Sequence, residues 1–216
     1  MNRSYKVCAA VTLAVAAFGA TDARAQASEV GIYGALGAGL GMPIDSNSNS
    51  VNAGTSIPMN VRFRAGYNLI GAVGLKWASS LRTELEVGYR NADVHQLGNA
   101  PASGSQSILS FSGNVLYDFN ARIVTPYLGV GLGASHNDWT NVYAGTGTPN
   151  FAGTNTNLQW QFIGGMGTRF TETTYLFVEY RYIGAGSASF PSVTGDVLQN
   201  HHDHSSNALA GLRFFF

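Results

Sequence analysis

The chain has 216 residues, of which 45% are hydrophobic and only 11% charged, with 12 basic and 12 acidic side chains. Ordinary soluble domains carry about 25% charged residues, so the usual charged surface is missing, and the balanced charge gives no reason to invoke nucleic acid. No stretch after residue 25 approaches the roughly 18 continuous apolar residues of a helical membrane span, which excludes a helical membrane protein.

Residues 1–25 read as an export signal. Arg3 and Lys6 give a positive start, Val7 to Phe18 form an apolar run, and Ala23-Arg24-Ala25 has the small-x-small form of a cleavage site. The run is shorter than the roughly 20 residues of a spanning helix. Cleavage there takes Cys8 with it, so the remaining chain, residues 26–216, has no disulfide, thiol nucleophile or thiolate metal site. It keeps nine basic and eleven acidic residues, once Arg3, Lys6, Arg24 and Asp22 are removed. Its length suits one domain.

From residue 30 onward the pattern is alternation, the period of a strand with one apolar face. Val30, Ile32, Leu36 and Leu40 alternate with Gly31, Tyr33, Gly37 and Gly41. Tyr67, Leu69, Val73, Leu75 and Trp77 alternate with Asn68, Ala72, Gly74 and Lys76. Leu81, Thr83, Leu85, Val87 and Tyr89 interleave with Arg82, Glu84, Glu86, Gly88 and Arg90. The same holds for Leu109–Phe119, for Leu128–Gly133 and for Leu158–Phe170. Leu176, Val178, Tyr180 and Tyr182 then interleave with Phe177, Glu179, Arg181 and Ile183. In the last stretch Ala208, Ala210, Leu212, Phe214 and Phe216 alternate with Leu209, Gly211, Arg213 and Phe215.

These make eight strands. Short connections near Ala78–Ser80, Asn120–Val124 and Thr171–Thr173 alternate with long polar ones near Met42–Asn60, Asp93–Gln106, Asn137–Thr156 and Ser187–Asp203. Antiparallel up-and-down strands produce that rhythm, with both chain ends on the short-turn side.

Two all-β architectures compete. A soluble sandwich would turn its apolar faces inward and show many Lys and Glu outside. Here the opposite faces are thin: Gly, Ser, Asn, Gln and a few charges. Nine charges lie within strands, Lys76, Arg82, Glu84, Glu86, Arg90, Arg169, Glu179, Arg181 and Arg213, all opposite the apolar face. An Arg or Lys facing lipid at mid-membrane costs about 2–4 kcal/mol, so a one-residue slip in register would be ruinous. Aromatic residues gather near strand ends, among them Trp77, Tyr89, Phe119, Trp160, Tyr180, Tyr182, Phe214 and Phe216, as interfacial girdles do. The reading is an eight-stranded antiparallel up-and-down transmembrane β-barrel over residues 26–216. Its lumen, just wide enough for side chains to fill, would hold ion pairs among Arg82, Glu84, Glu86, Arg90, Glu179, Arg181 and Arg213. Inward glycines of Gly129–Gly133 would leave room for these longer side chains.

The stretches GAVGLKWASSLRTELEVGYR, NVLYDFNARIVTPYLGVGLGAS, FIGGMGTRFTETTYLFVEYRYIG and ALAGLRFFF resemble the small eight-stranded outer-membrane barrels of Gram-negative bacteria: opacity-type surface proteins, OmpW-like porins and the membrane domain of OmpA-like proteins. The resemblance implies residence in the outer membrane, with its lipids and lipopolysaccharide as surroundings. It implies that Phe214 and Phe216 form the C-terminal signal read by the barrel-assembly machinery. It also implies long loops offered to host or cell-surface ligands.

Chemistry in the chain is sparse. His201, His202, Asp203 and His204 have metal-binding side chains, but one loop rarely fixes ligand geometry, so a solvated tip and no metal is the reading. His204-x-Ser206-Asn207 resembles the His-x-Ser-Asn motif of outer-membrane lipid A deacylases, with His204 as base, Ser206 as nucleophile and Asn207 as oxyanion donor. That family needs a later carboxylate, and no Asp or Glu follows Asp203. Glu84 and Glu86 fit interior ion pairing better than acid/base work. GALGAGLG and GVGLG lack the Lys-Ser/Thr and helix of a phosphate loop. The expectation is a non-enzymatic surface barrel with no cofactor, serving envelope integrity and surface interaction through four long extracellular loops. The alternatives are an OmpW-like narrow pore for small hydrophobic solutes and, third, a lipid-processing enzyme.

Overall fold

The computed structural model describes residues 30–44, 46–52, 55–97, 100–119, 121–144, 151–191 and 197–216. The expected export signal lies outside them. Ten strands follow one another: β1 Gly31–Pro43, β2 Ser46–Asn52, β3 Thr55–Phe63, β4 Gly66–Lys76, β5 Leu81–Leu97, β6 Ala100–Asp118, β7 Val124–Ala144, β8 Phe151–Arg169, β9 Thr174–Pro191 and β10 Val197–Phe215. No helix occurs among the described residues.

Eight of these strands, β1 and β4 to β10, form a closed antiparallel barrel. Each pairs with its neighbour in the chain, and β10 returns to β1 with Phe215 opposite Tyr33 and Ala208 opposite Leu40. Closure leaves no strand edge in the membrane, where an unpaired backbone group costs several kcal/mol. The short turns fall at the end where β1 begins and β10 finishes. There the amide of Trp77 donates to Leu81 O at 2.8 Å, that of Phe119 to Pro126 O at 2.8 Å, and that of Phe170 to Thr174 O at 2.9 Å.

Burial is inverted relative to a soluble protein. Leu85 is 76% exposed, Leu132 66% and Leu158 71%, while Glu84, Glu86, Gln159 and Arg181 are buried. The strictness of the alternation follows from the solvent on each side. One face meets hydrocarbon and excludes charge, while the other meets a narrow interior and is filled by polar side chains together with two apolar clusters, one around Ile70, Phe177 and Leu209 and one around Leu116, Tyr127 and Ile163.

At the far end the structure departs from the expected long loops. β2 and β3 form a hairpin inside the expected loop Met42–Asn60. β2 pairs with the outer part of β10 (Val51 opposite Val197) and β3 with the outer part of β5 (Val61 opposite Leu97). Where β1 and β4 end, the hairpin continues the wall. β7 runs to Ala144 and β8 begins at Phe151, so the Asn137–Thr156 connection is also largely ladder. β7 has 21 residues. At ~3.3 Å per residue and a tilt near 45° it rises about 49 Å, roughly twice the apolar band of about 25 Å. Outside lipid, the ladder continues to pair the backbone, with register shifts in most of the outer pairings, but nothing forces one face to be apolar. In β2, SNSNSVN, strand structure continues without the pattern that announces it.

Candidate functional site

The interior is built in tiers. The floor, at the short-turn end, begins with Phe215, whose ring lies 5.1 Å from that of Tyr33 and 5.2 Å from that of Tyr175. Phe214 and Phe216 belong to the opposite, outward parity, so the chain's last three aromatics divide between lipid face and lumen.

Above Phe215 the floor uses one arrangement twice. Tyr33 on β1, Gly74 on β4 and Glu84 on β5 stand on one rung. The tyrosine ring occupies the space a side chain on Gly74 would need, and its hydroxyl donates to Glu84 Oε1 at 2.6 Å. Tyr127 on β7, Gly165 on β8 and Glu179 on β9 repeat this rung, with the hydroxyl donating to Glu179 Oε1 at 2.7 Å. The two tyrosines share the same pair of cations. Arg82 sits 4.6 Å from the Tyr127 ring centroid and 5.8 Å from that of Tyr33. Arg213 lies 5.3 to 5.5 Å from the rings of Tyr33, Tyr127 and Phe177.

Arg82 also donates to Asp118 Oδ1 at 2.8 Å and to Glu84 Oε1 at 3.1 Å. Lys76, partly exposed, meets Asp118 Oδ2 at 3.3 Å. In the middle tier Arg181 bridges two strands' worth of carboxylates: its Nη1 is 2.6 Å from Glu86 Oε1 and its Nη2 is 2.7 Å from Glu179 Oε2. Asn114 and Gln161 complete the cluster, Asn114 donating to Glu86 at 3.0 Å and Gln161 to Asn114 at 2.7 Å. In the upper tier Arg90 donates to Ser205 at 2.7 Å and to Gln159 at 2.9 Å. Asn68 donates to Asn207, and Asn207 to Ser205. Above them Gln106 donates to Asn137, and Trp139, 1% exposed, meets Phe63 edge-on at 6.0 Å.

Of the seven residues expected in lumen pairs, Arg82, Glu84, Glu86, Glu179 and Arg181 form ion pairs with one another or with Asp118. Arg90 donates to Ser205 and Gln159, and Arg213 lies against ring faces. No carboxylate among the described residues pairs with Arg213. Asp118, not singled out in sequence, supplies the missing acid. Its parity with Ser110, Ser112 and Asn114 was the available signal. Among the described residues the buried charges are four arginines and four acids, Glu84, Glu86, Asp118 and Glu179, and they balance as a set. Arg169 stays exposed and donates to the turn carbonyls of Thr171 and Glu172. The space at Gly131 is taken by Asn114 and Gln161, and that at Gly129 by Leu116, not by the arginines and glutamates expected there.

The outer wall holds the second expected constellation. His204 and Ser206 face outward on β10. His204 stacks on Tyr182 at 6.0 Å and lies 6.2 Å from Trp160, while Ser206 accepts from the Tyr180 hydroxyl at 2.9 Å. Asn207 is buried on the lumen side. Adjacent strand residues point to opposite faces, so Asn207 and Ser206 do not meet in one site. The side chains of His201, His202 and Asp203 lie outside the described residues, and no metal-binding cluster occurs among those described.

The wall opens along one seam. β1 and β4 pair as far as Gly41 opposite Gly66, and β2 and β3 resume with Ser46 opposite Val61. In between, Ile44 donates instead to His204 O at 2.8 Å and Arg64 to Asp93 O at 2.9 Å, so each lip hangs on its outer neighbour. A recess of about 20 Å³ sits here, lined by Gly41, Pro43, Tyr67, Arg90, Ser205 and Asn207 among others. That holds about one water.

Residues 10–214 match the family described as outer membrane protein beta-barrel domain. No curated protein matches the chain in sequence. Among solved structures, the Neisserial surface protein A is similar at 21% identity, with 86% of this chain and 97% of that one covered and a TM-score of 0.52. The outer membrane protein OprG of Pseudomonas aeruginosa is similar at 14% identity, covering 86% and 96%, with a TM-score of 0.57. The outer membrane protease OmpT of Escherichia coli is similar at 10% identity, covering 91% and 100%, with a TM-score of 0.52. These likenesses establish a shared barrel fold, and the neighbours include small eight-stranded outer-membrane barrels. With the family matched over nearly its whole length, the chain belongs to the outer membrane protein β-barrel domain family.

Proposed function

We propose that this protein is a non-enzymatic surface barrel of the outer membrane, exported with a cleaved signal. Its lumen is a plug, and its strand extensions are presented outward for contact with lipopolysaccharide and with host or cell-surface ligands. The observation that carries the reading is the tiered interior from Phe215 to Trp139, in which eight buried charges cancel and the described recess holds about one water. Lumens of eight-stranded barrels are commonly filled in this way. The absence of an enzymatic role is supported by the opposed faces of Ser206 and Asn207, which separate the nucleophile from its oxyanion donor. Phe214 and Phe216 are the residues offered to the assembly machinery.

Planar-bilayer recording of the refolded protein tests the plug. The expected result is a flat baseline, and a reproducible single-channel step overturns it. Lipid A mass spectra from cells with and without Ser206→Ala test the enzymatic alternative. The expected spectra are identical, and an acyl-chain difference would restore it.

A second reading, a narrow OmpW-like path for small hydrophobic solutes, has the β1–β4 seam in its favour. Arg90, buried in the recess behind that seam, is a poor wall for an apolar solute. Uptake of an apolar dye into proteoliposomes without ion conductance would support that second reading.

A further inference from the structure

The barrel floor holds a cation that no side chain pairs. Arg213 is 5% exposed, yet each acid near it serves another partner. Asp118 takes Arg82 and Lys76, Glu84 takes Arg82 and the Tyr33 hydroxyl, and Glu179 takes Arg181 and the Tyr127 hydroxyl. With Lys76 counted, the cations outnumber the four interior acids by one among the described residues. The Nε of Arg213 is buried and makes no hydrogen bond. Arg82 has a second such donor: its Nε and Nη1 go to Asp118 and Glu84, while its buried Nη2 makes no hydrogen bond. Both guanidinium groups stand 4.6 to 5.8 Å from the ring centroids of Tyr33 and Tyr127.

The rings do not supply what is missing. A ring face attracts a cation by about 0.5–2 kcal/mol. A buried donor left without an acceptor costs about 1–3 kcal/mol, and more when it is charged. Two cations beside the same rings also repel each other in a medium less polar than water. One anion answers both demands, as an acceptor of charge-assisted hydrogen bonds and as a screen.

The wall leaves a notch of suitable size. On β8 two inward glycines differ in what stands before them. A methyl group on Gly165 would meet the Tyr127 ring at 2.6 Å. One on Gly167 would stand 3.4 Å from Leu176 O, 3.9 Å from Arg213 Nη1 and 4.0 Å from the Tyr127 ring. The space before Gly167 therefore accepts something the size of a methyl group, with a guanidinium on one side. An ion seated toward Arg213 clears the Leu176 carbonyl. A monatomic halide fits that space, whereas sulfate and carboxylates are larger.

We propose that the floor binds one monatomic anion, chloride in the cell, in the notch between Gly167 and Arg213. Arg82 adds its charge from beside the same two tyrosines. The ion completes the plug as a fixed counter-ion. The site is independent of the barrel's orientation and of the surface role proposed above.

The test uses the folded mature barrel, labelled with nitrogen-15 on arginine, in detergent micelles with sodium gluconate as the starting salt. Chloride, and separately bromide, replaces gluconate at constant ionic strength, and the arginine Nε–H resonances are followed by NMR. The Arg213 resonance is expected to shift saturably with both halides. Those of Arg181 and Arg169, whose Nε–H groups donate to Glu179 and to Thr171 O, should stay still. Gly167→Ala fills the notch at ordinary contact distances. It should keep heat-modifiable gel migration and weaken halide binding about tenfold or more, the loss of one charge-assisted hydrogen bond. Should that variant fail to fold, Arg213→Met serves instead: chloride should raise the temperature at which the parent loses its folded band, relative to gluconate, and leave Arg213→Met unmoved. A flat titration overturns the site, as does a linear shift shared by all three arginines. A saturable shift that sulfate reproduces, a Gly167→Ala barrel that binds as well as the parent, or an equal rise in parent and Arg213→Met overturns it too.

Discussion

The lower barrel and its outer extension are one continuous ladder with two different sequence grammars. Between the short turns and Tyr67, Tyr89 and Trp160, every strand alternates, because each outward position faces lipid and each inward one faces a polar plug. Above that level β2, β3 and the ends of β5 to β10 keep the same antiparallel pairing with sequences such as SNSNSVN. There the backbone's need for partners persists, but water tolerates either side-chain polarity. Strand formation and strand pattern are separable: the first follows from hydrogen bonding and neighbours, the second from solvent.

Substitutions in the two regions should therefore differ by kilocalories. The largest effect is expected within the lower barrel at Arg181→Met, which strands Glu86 and Glu179 without their cation. Breaking a buried pair in this way costs about 3–5 kcal/mol, read as a lower urea midpoint for unfolding from lipid vesicles. Arg213→Met should cost less, because ring faces and not buried carboxylates lose their partner. The two variants together test whether the floor and the middle tier work by different means.

Val130→Arg, on the lipid face, should cost about 2–4 kcal/mol in the same assay. Gly74→Ala places a methyl group where the Tyr33 ring lies. Overpacking of that kind costs about 1–3 kcal/mol, and a matching loss at Gly165→Ala would show that the two Tyr-Gly-Glu rungs are equivalent. Asp138→Arg, outward on the extension of β7, should stay within about 0.5 kcal/mol of the parent. An Asp138→Arg penalty as large as that of Val130→Arg would erase the contrast between the two regions.

The same contrast explains what was legible in the sequence. The eight wall strands, their parity and the inward charges could be read because lipid punishes every exception. The β2 half of the hairpin could not, since its polar residues carry no phase; β3 does alternate, with Ile57, Met59, Val61 and Phe63 against Pro58, Asn60 and Arg62, a signal missed inside a stretch read as loop. Pairing inside the lumen was legible only as a set. Glu86 and Arg181 are separated by 95 positions and meet because β5 and β9 face each other across the barrel, a relation that alternation does not encode. Arg213 illustrates the limit: its inward direction was evident, but its neighbours proved to be Tyr33, Tyr127 and Phe177. Asp118 stood in plain alternation with Ser112 and Asn114, yet the cation it serves, Arg82, lies on the neighbouring strand and one rung is shifted from it. The residues of the His204, Ser206 and Asn207 motif do not come together on one side of the wall for an equally simple reason, since consecutive residues on a strand point to opposite faces.

The central claim is that neighbouring residues look alternately into hydrocarbon and into a packed lumen. Nitroxide labels placed one at a time at positions 158 to 163 of β8, with oxygen and water-soluble relaxation agents, test it most directly. The account predicts strong oxygen relaxation at 158, 160 and 162, and weak relaxation by either agent at 159, 161 and 163. Uniform relaxation along the six positions, or the opposite phase, would contradict it.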